Sequence, residues 1–107
     1  MLSHRSGPKS LEALQRDAGQ PEKGNEVHHV VEQTPAAREG HSQEDIDGPH
    51  NLARIPTLKH WEITAWYMTK NRDFNYLSPR QFLQGKSWQM RRKVGIEALT
   101  DAGVLKR

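Results

Sequence analysis

The sequence predicts a small α+β domain, and three observations carry that prediction. At 107 residues the chain is long enough for one modest core and too short for two ordinary ones. Its two β-like runs, "EVHHVVEQ" and "NLARIP", both fall within residues 26–56. Runs with helical spacing, opened by capping residues, lie before and after them. Hydrophobic residues make up only 34% of the chain. Gly, Pro, Ser, Asp and charged residues crowd the first half, so the fold is expected to be loop-rich.

Taken in order, Ser10 is positioned to cap "LEALQRDAG", a helix of about two turns closed by Gly19, with Leu11 and Leu14 on one side. "QPEKGN" breaks the chain before the first strand. Residues 34–50, "TPAAREGHSQEDIDGPH", read as a long loop without a core of its own. "NLARIP" is a second short strand closed by Pro56, after which Thr57 is the expected N-cap of "LKHWEITAWYMTK". In that helix Leu58, Trp61, Ala65 and Met68 form one stripe, the predicted core face, and His60 and Thr64 share a neighbouring one. Ser78-Pro79 opens the short helix "PRQFLQ", ended by Gly85. Ser87 caps "WQMRRKVGIEALTDAG", with Gly103 near its end and the run Arg91, Arg92, Lys93 facing largely solvent. Trp61, Trp66 and Trp88 lie at helical spacings and read as core packing. The organisation expected is an N-terminal short helix and flexible segment (1–24), a central strand, strand and helix unit (25–70) and a C-terminal helical extension (71–107), packed as one compact monomeric domain.

Charge is unevenly spread. Residues 1–50 carry five Lys/Arg against nine Asp/Glu, and residues 51–107 carry eleven against four. A basic half is the usual footprint of a polyanion partner, and a solvated helix face has the same composition. The absence of cysteine excludes disulfides, thiol catalysis and cysteine-based zinc sites, so any metal must be held by His, Asp, Glu or Asn. No apolar stretch reaches the length of a membrane span, and the opening "MLSHRSGPKS" has no signal-peptide core.

The most unusual feature is the pair His28-His29 inside an apolar, β-branched run. Neighbours on a strand point to opposite faces, so a purely structural strand would have to bury one imidazole. Metal-assisted phosphodiester hydrolysis needs both kinds of imidazole: one that takes a proton from water and others that hold a divalent cation. Asn51 at the start of the second strand and His60 on the following helix complete a constellation with the pair.

"EVHHVV", "HNL" and "KHWEIT" together resemble the HNH or His-Me finger nucleases, particularly colicin- and pyocin-type DNase domains and the toxin tips of Rhs-like polymorphic toxins. The resemblance spans residues 26–64 and implies a ββα-metal core with additional N- and C-terminal helices. It implies that His28 and His60 hold the metal, that His29 is the general base, that Asn51 fixes the hairpin loop and so the aim of His29, and that Glu26 helps to position the site. Two departures from the pattern stand out. Thr64 occupies the place of a second helix histidine, and the stretch between the first strand and Asn51 is longer than in colicin-type enzymes. With two imidazoles completed by water, phosphate or a carboxylate, the cation favoured is Mg²⁺, with Zn²⁺, Mn²⁺ and Ni²⁺ as the alternatives.

The resulting expectation is an endonuclease that cuts DNA with little sequence specificity, Arg54, Lys59, Arg91, Arg92 and Lys93 being the phosphate contacts. The resemblance further implies a bacterial antagonism toxin, such as a type VI secretion effector, injected to act in a target-cell cytoplasm and neutralised by an immunity protein. The rival readings are a non-catalytic nucleic-acid-binding module and a phage or mobile-element HNH endonuclease. His50 reads as an exposed loop histidine rather than a substrate contact, Glu32 and Asp47 as ordinary surface or turn carboxylates ahead of the alternative that they reach the metal, and His41 and His4 have no assigned partner.

Overall fold

The computed structural model describes residues 7–107; His4 lies outside the described residues. Strand β1 (Asn25–His29) pairs antiparallel with β2 (Leu52–Pro56) in a two-stranded sheet, in a register running from Asn25↔Pro56 to His29↔Leu52. Pairing sets Glu26 and His28 opposite Ile55 and Ala53, so these four residues share one face. On that face Ala53, Ile55 and His28 are buried, whereas Val27 on the other face is 45% exposed. The pattern along β1 thus runs against hydropathy: the fold buries an imidazole and leaves a valine out. β1 also stops at His29, short of the run predicted to reach Gln33. Val30 and Val31 continue beyond the ladder fully buried, and the Val30 N–H donates to the Asn51 carbonyl at 2.8 Å.

Around the sheet stand six α-helices among the described residues, giving an α+β fold. Helix α1 (Leu11–Asp17) is capped by Ser10, whose side chain accepts from the Ala13 N–H, and it buries Leu14 against β2. Helix α4 (Thr57–Met68) follows β2 without a break, α5 (Pro79–Phe82) carries a complete capping box between Ser78 and Gln81, and α6 (Trp88–Asp101) is capped by Ser87. Leu14, Val30, Ile55, Ile63, Tyr67, Phe74, Val94, Leu99 and Leu105 belong to one core. The N-terminal helix, the central unit and the C-terminal extension therefore stand on shared packing. Lys9 forms a parallel bridge with Leu105, donating its N–H to the Val104 carbonyl and accepting from Lys106.

Gly95 explains how α6 reaches the sheet. A Cβ built there would lie 2.1 Å from the Val30 carbonyl oxygen, so only glycine permits this crossing.

Four expectations need correction. Residues 34–50 are not a structureless loop: helices α2 (Gln33–Arg38) and α3 (Gln43–Ile46) and a 3₁₀ turn (Pro49–Asn51) occupy the stretch. Ala36 and Ile46 join Val31 in a small second core against Trp88. One-turn helices are too short to show periodicity, which is why composition misled. In α4 the predicted stripe is the solvent face, with Leu58 73%, Trp61 61% and Met68 59% exposed, while Ile63 and Tyr67 carry the core. The position before the helix is Pro56, and Thr57 is its first residue with no side-chain cap bond. Finally, Arg91 is buried rather than solvent-facing, its guanidinium paired with Glu39.

Candidate functional site

His28 and His60 meet between the sheet and α4. Their Nδ1 atoms stand 3.1 Å apart, with the rings nearly perpendicular at 76°. Burial brings them together: His28 lies on the inner face of β1, and α4 starts directly where β2 ends, laying its first turn, with His60, over that face. Burial, and then the neighbouring His60 and His29, push His28 down to about 3, so its ring is neutral at ordinary pH. Its Nε2 is buried without a hydrogen-bond partner among the described residues.

Two imidazoles with nitrogens 3.1 Å apart fit a divalent cation. Bonds of about 2.0–2.1 Å place adjacent ligand nitrogens about 2.9 Å apart in octahedral geometry and about 3.3 Å apart in tetrahedral geometry, and the pair falls between the two. No third His, Asp or Glu completes a metal-holding cluster among the described residues. Glu26 approaches the opposite nitrogen of His60, its Oε1 standing 3.9 Å from Nε2. Thr64, one turn on, donates its hydroxyl to the His60 carbonyl at 3.0 Å. The donor set therefore amounts to two imidazoles with the remaining positions left to water or substrate oxygen.

These residues line a cleft of about 400 Å³ shared by β1, the start of α2, and α4, where His28, His29 and His60 converge with Glu32, Arg38, Thr64 and Arg80. His29 and His28 diverge along the strand, yet both reach the cleft because β1 ends there. The His29 Nε2 stands 3.0 Å from Asp47 Oδ1. Asp47 Oδ2 in turn accepts from the Gln43 side chain at 2.6 Å. That bond first, and then His29, hold the Asp47 carboxyl below its usual range.

Asn51 lies behind the cleft, fully buried. Its Oδ1 accepts from the Val31 N–H at 2.8 Å, and its Nδ2 donates to the carbonyls of Ile46 at 2.9 Å and Val31 at 3.2 Å. One amide thus ties the end of the first strand to the end of α3.

The basic residues singled out from sequence are scattered. Arg54 sits away from the cleft, donating to the Gln20 carbonyl at 2.6 Å and pairing with Asp17 and Glu22. Arg91 is engaged with Glu39, Arg92 donates to the His50 carbonyl, and Lys59 pairs with Glu62 on its own helix. Lys93 is exposed. The cations at the cleft are instead Arg38 and Arg80, the latter donating through Nε to Glu32 at 3.0 Å. Neither carries a local sequence signal, since both reach the cleft only through the folding of segments 48 residues apart in the Glu32 and Arg80 pair. His50 is exposed, and His41 packs at 5.7 Å against Trp88.

No family model, curated protein or solved structure matches the chain.

Proposed function

We propose that the chain is a metal-dependent phosphodiesterase of the His-Me finger kind, acting on DNA, with β1, β2 and α4 as its ββα-metal core. The observation that carries this reading is the pair of His28 and His60 Nδ1 atoms 3.1 Å apart in a cleft that also presents His29. His28 and His60 would hold the cation, which supplies charge stabilisation at the phosphate and leaving oxygen when bound. His29 accepts a proton from the attacking water as the water oxygen bonds to phosphorus and the ester P–O bond breaks. Arg38 and Arg80 line the same cleft, where they would meet backbone phosphate. Contacts of this type reach the backbone and not the base edges, so cleavage has little sequence preference. No helix among the described residues is long and apolar enough to cross a membrane.

Supercoiled plasmid incubated with Mg²⁺, Mn²⁺, Ni²⁺ or Zn²⁺ tests the reading. Nicking that requires metal, stops with EDTA and falls at least about a hundredfold in His29→Ala is the expected result. Intact plasmid under every metal, with the protein still bound to it, makes the site a nucleic-acid-binding one. The family resemblance extends the proposal to a toxin module restrained by an immunity protein. Growth arrest on expression, relieved by a co-expressed neighbouring open reading frame, tests that part.

A further inference from the structure

We propose that Asp47 is the positioning residue of His29, holding the imidazole in the tautomer with hydrogen on Nε2 so that Nδ1 is its one lone pair. The use made of that lone pair rests on the hydrolase reading above; the pairing itself does not.

Chemistry fixes the direction of the contact. An ionised carboxylate only accepts hydrogen bonds, so an imidazole nitrogen 3.0 Å from Asp47 Oδ1 has to be the donor. The ring therefore carries a hydrogen on Nε2, and in its neutral form Nδ1 is then the open nitrogen, which is the form a general base needs. Asp47 is itself held on its second oxygen by Gln43, one turn earlier on α3. Gln43, Asp47 and His29 form a chain in which each group restrains the next.

The backbone beneath this chain is equally fixed. Val31 stands two residues after His29 and Ile46 one residue before Asp47, and both are gripped by the single buried amide of Asn51. Val31 and Ile46 also belong to one buried cluster with Ala36. The segment between the strands is thereby a carrier that delivers a carboxylate to His29. Glu26, the carboxylate expected to help position the site, approaches His60, and Asp47 is the carboxylate that meets His29.

The amide variant gives the sharpest test. In Asp47→Asn the Gln43 amide still donates toward the old Oδ2 position, which draws the asparagine oxygen there and turns its NH₂ toward His29. The ring must then accept on Nε2 and carry its hydrogen on Nδ1, the wrong-tautomer situation that a carboxylate-to-amide exchange produces beside a catalytic histidine. Ring ¹⁵N shifts of labelled protein at neutral pH, read without metal, report this directly. Expected are the Nε2–H pattern for wild type, the Nδ1–H pattern for Asp47→Asn, and a return to Nε2–H in Gln43→Ala/Asp47→Asn, where the asparagine is free to turn. Plasmid cleavage by Asp47→Asn should lose about a hundredfold or more in kcat with KM little changed.

The Asp47 side chain is half exposed, so these variants should fold. Identical His29 ring shifts in wild type, Asp47→Asn and the double variant would overturn the proposal. A tautomer that inverts in a protein that cleaves nothing upholds the pairing and removes the hydrolase reading, so the two failures are distinguishable.

Discussion

His28 shows at the scale of one residue how burying an imidazole makes stability depend on pH. The unfolded side chain takes its proton near 6.5, whereas the folded one holds off to about 3. Between those values the unfolded state binds more protons, so stability falls as pH falls, by at most about 1.4 kcal/mol per pH unit from this residue. Thermal melts from pH 7 to pH 4 should show a declining Tm that flattens in His28→Asn. The carboxyls of Asp47 and Glu39 are also depressed, Glu39 mainly by the Gly85 N–H and then by Arg91. Their contribution is present above the unfolded values of 3.8 and 4.5 and is lost only in more acid solution, as pH falls through the depressed ones. Asn51 is the opposite case, a polar residue fully satisfied by its three bonds. Asn51→Ala leaves three buried backbone groups without partners and should cost about 2–4 kcal/mol in urea unfolding.

Among the elements, α4 separates what its sequence displays from what its fold uses. Leu58, Trp61, Ala65 and Met68 keep helical spacing, but Ile63 and Tyr67 keep it too, and periodicity alone does not say which stripe meets a sheet. The choice was made by β2 running straight into the helix, which turns His60, Ile63 and Tyr67 inward together. Ile63→Ala should therefore cost about 2–5 kcal/mol, while Trp61→Lys stays within about 0.5 kcal/mol of wild type in the same denaturation assay. The caps, by contrast, were legible. Ser10, Ser78 and Ser87 each accept the expected backbone N–H, because capping depends on residues only three apart. In α6 the Gly95 contact makes Gly95→Ala more severe than an ordinary helical exchange. The helix and Val30 must separate, with an expected loss of about 1–3 kcal/mol or more and a changed environment at the neighbouring His29.

Across the whole molecule three arginines of the basic half are tied to carboxylates of the acidic half. Arg54 pairs with Asp17 and Glu22, Arg80 with Glu32, and Arg91 with Glu39, each joining the basic half to the acidic one. Composition could count these charges but could not show that they face one another. If DNA is bound through the cleft, the Lys/Arg side chains lining it are Arg38 and Arg80. The slope of log affinity against log salt should correspond to about four phosphates or fewer, well short of a broadly basic surface. The histidines were legible because adjacent imidazoles in an apolar strand conflict with burial, and a conflict of that kind shows in one dimension. Asp47 and Arg38 were not, because they belong to a segment whose order comes from Val31, Ala36 and Ile46 packing with Trp88, and Arg80 was not, because it reaches the cleft from α5 through its pairing with Glu32.

The bridge between Lys9 and Leu105 has a mechanical meaning. Because the two paired segments run parallel, tension applied through both ends slides them past one another along their length, loading their hydrogen bonds in shear and together instead of peeling them singly. A pull on the chain is taken first by this clasp, while the hairpin and its histidines carry no load until it gives way.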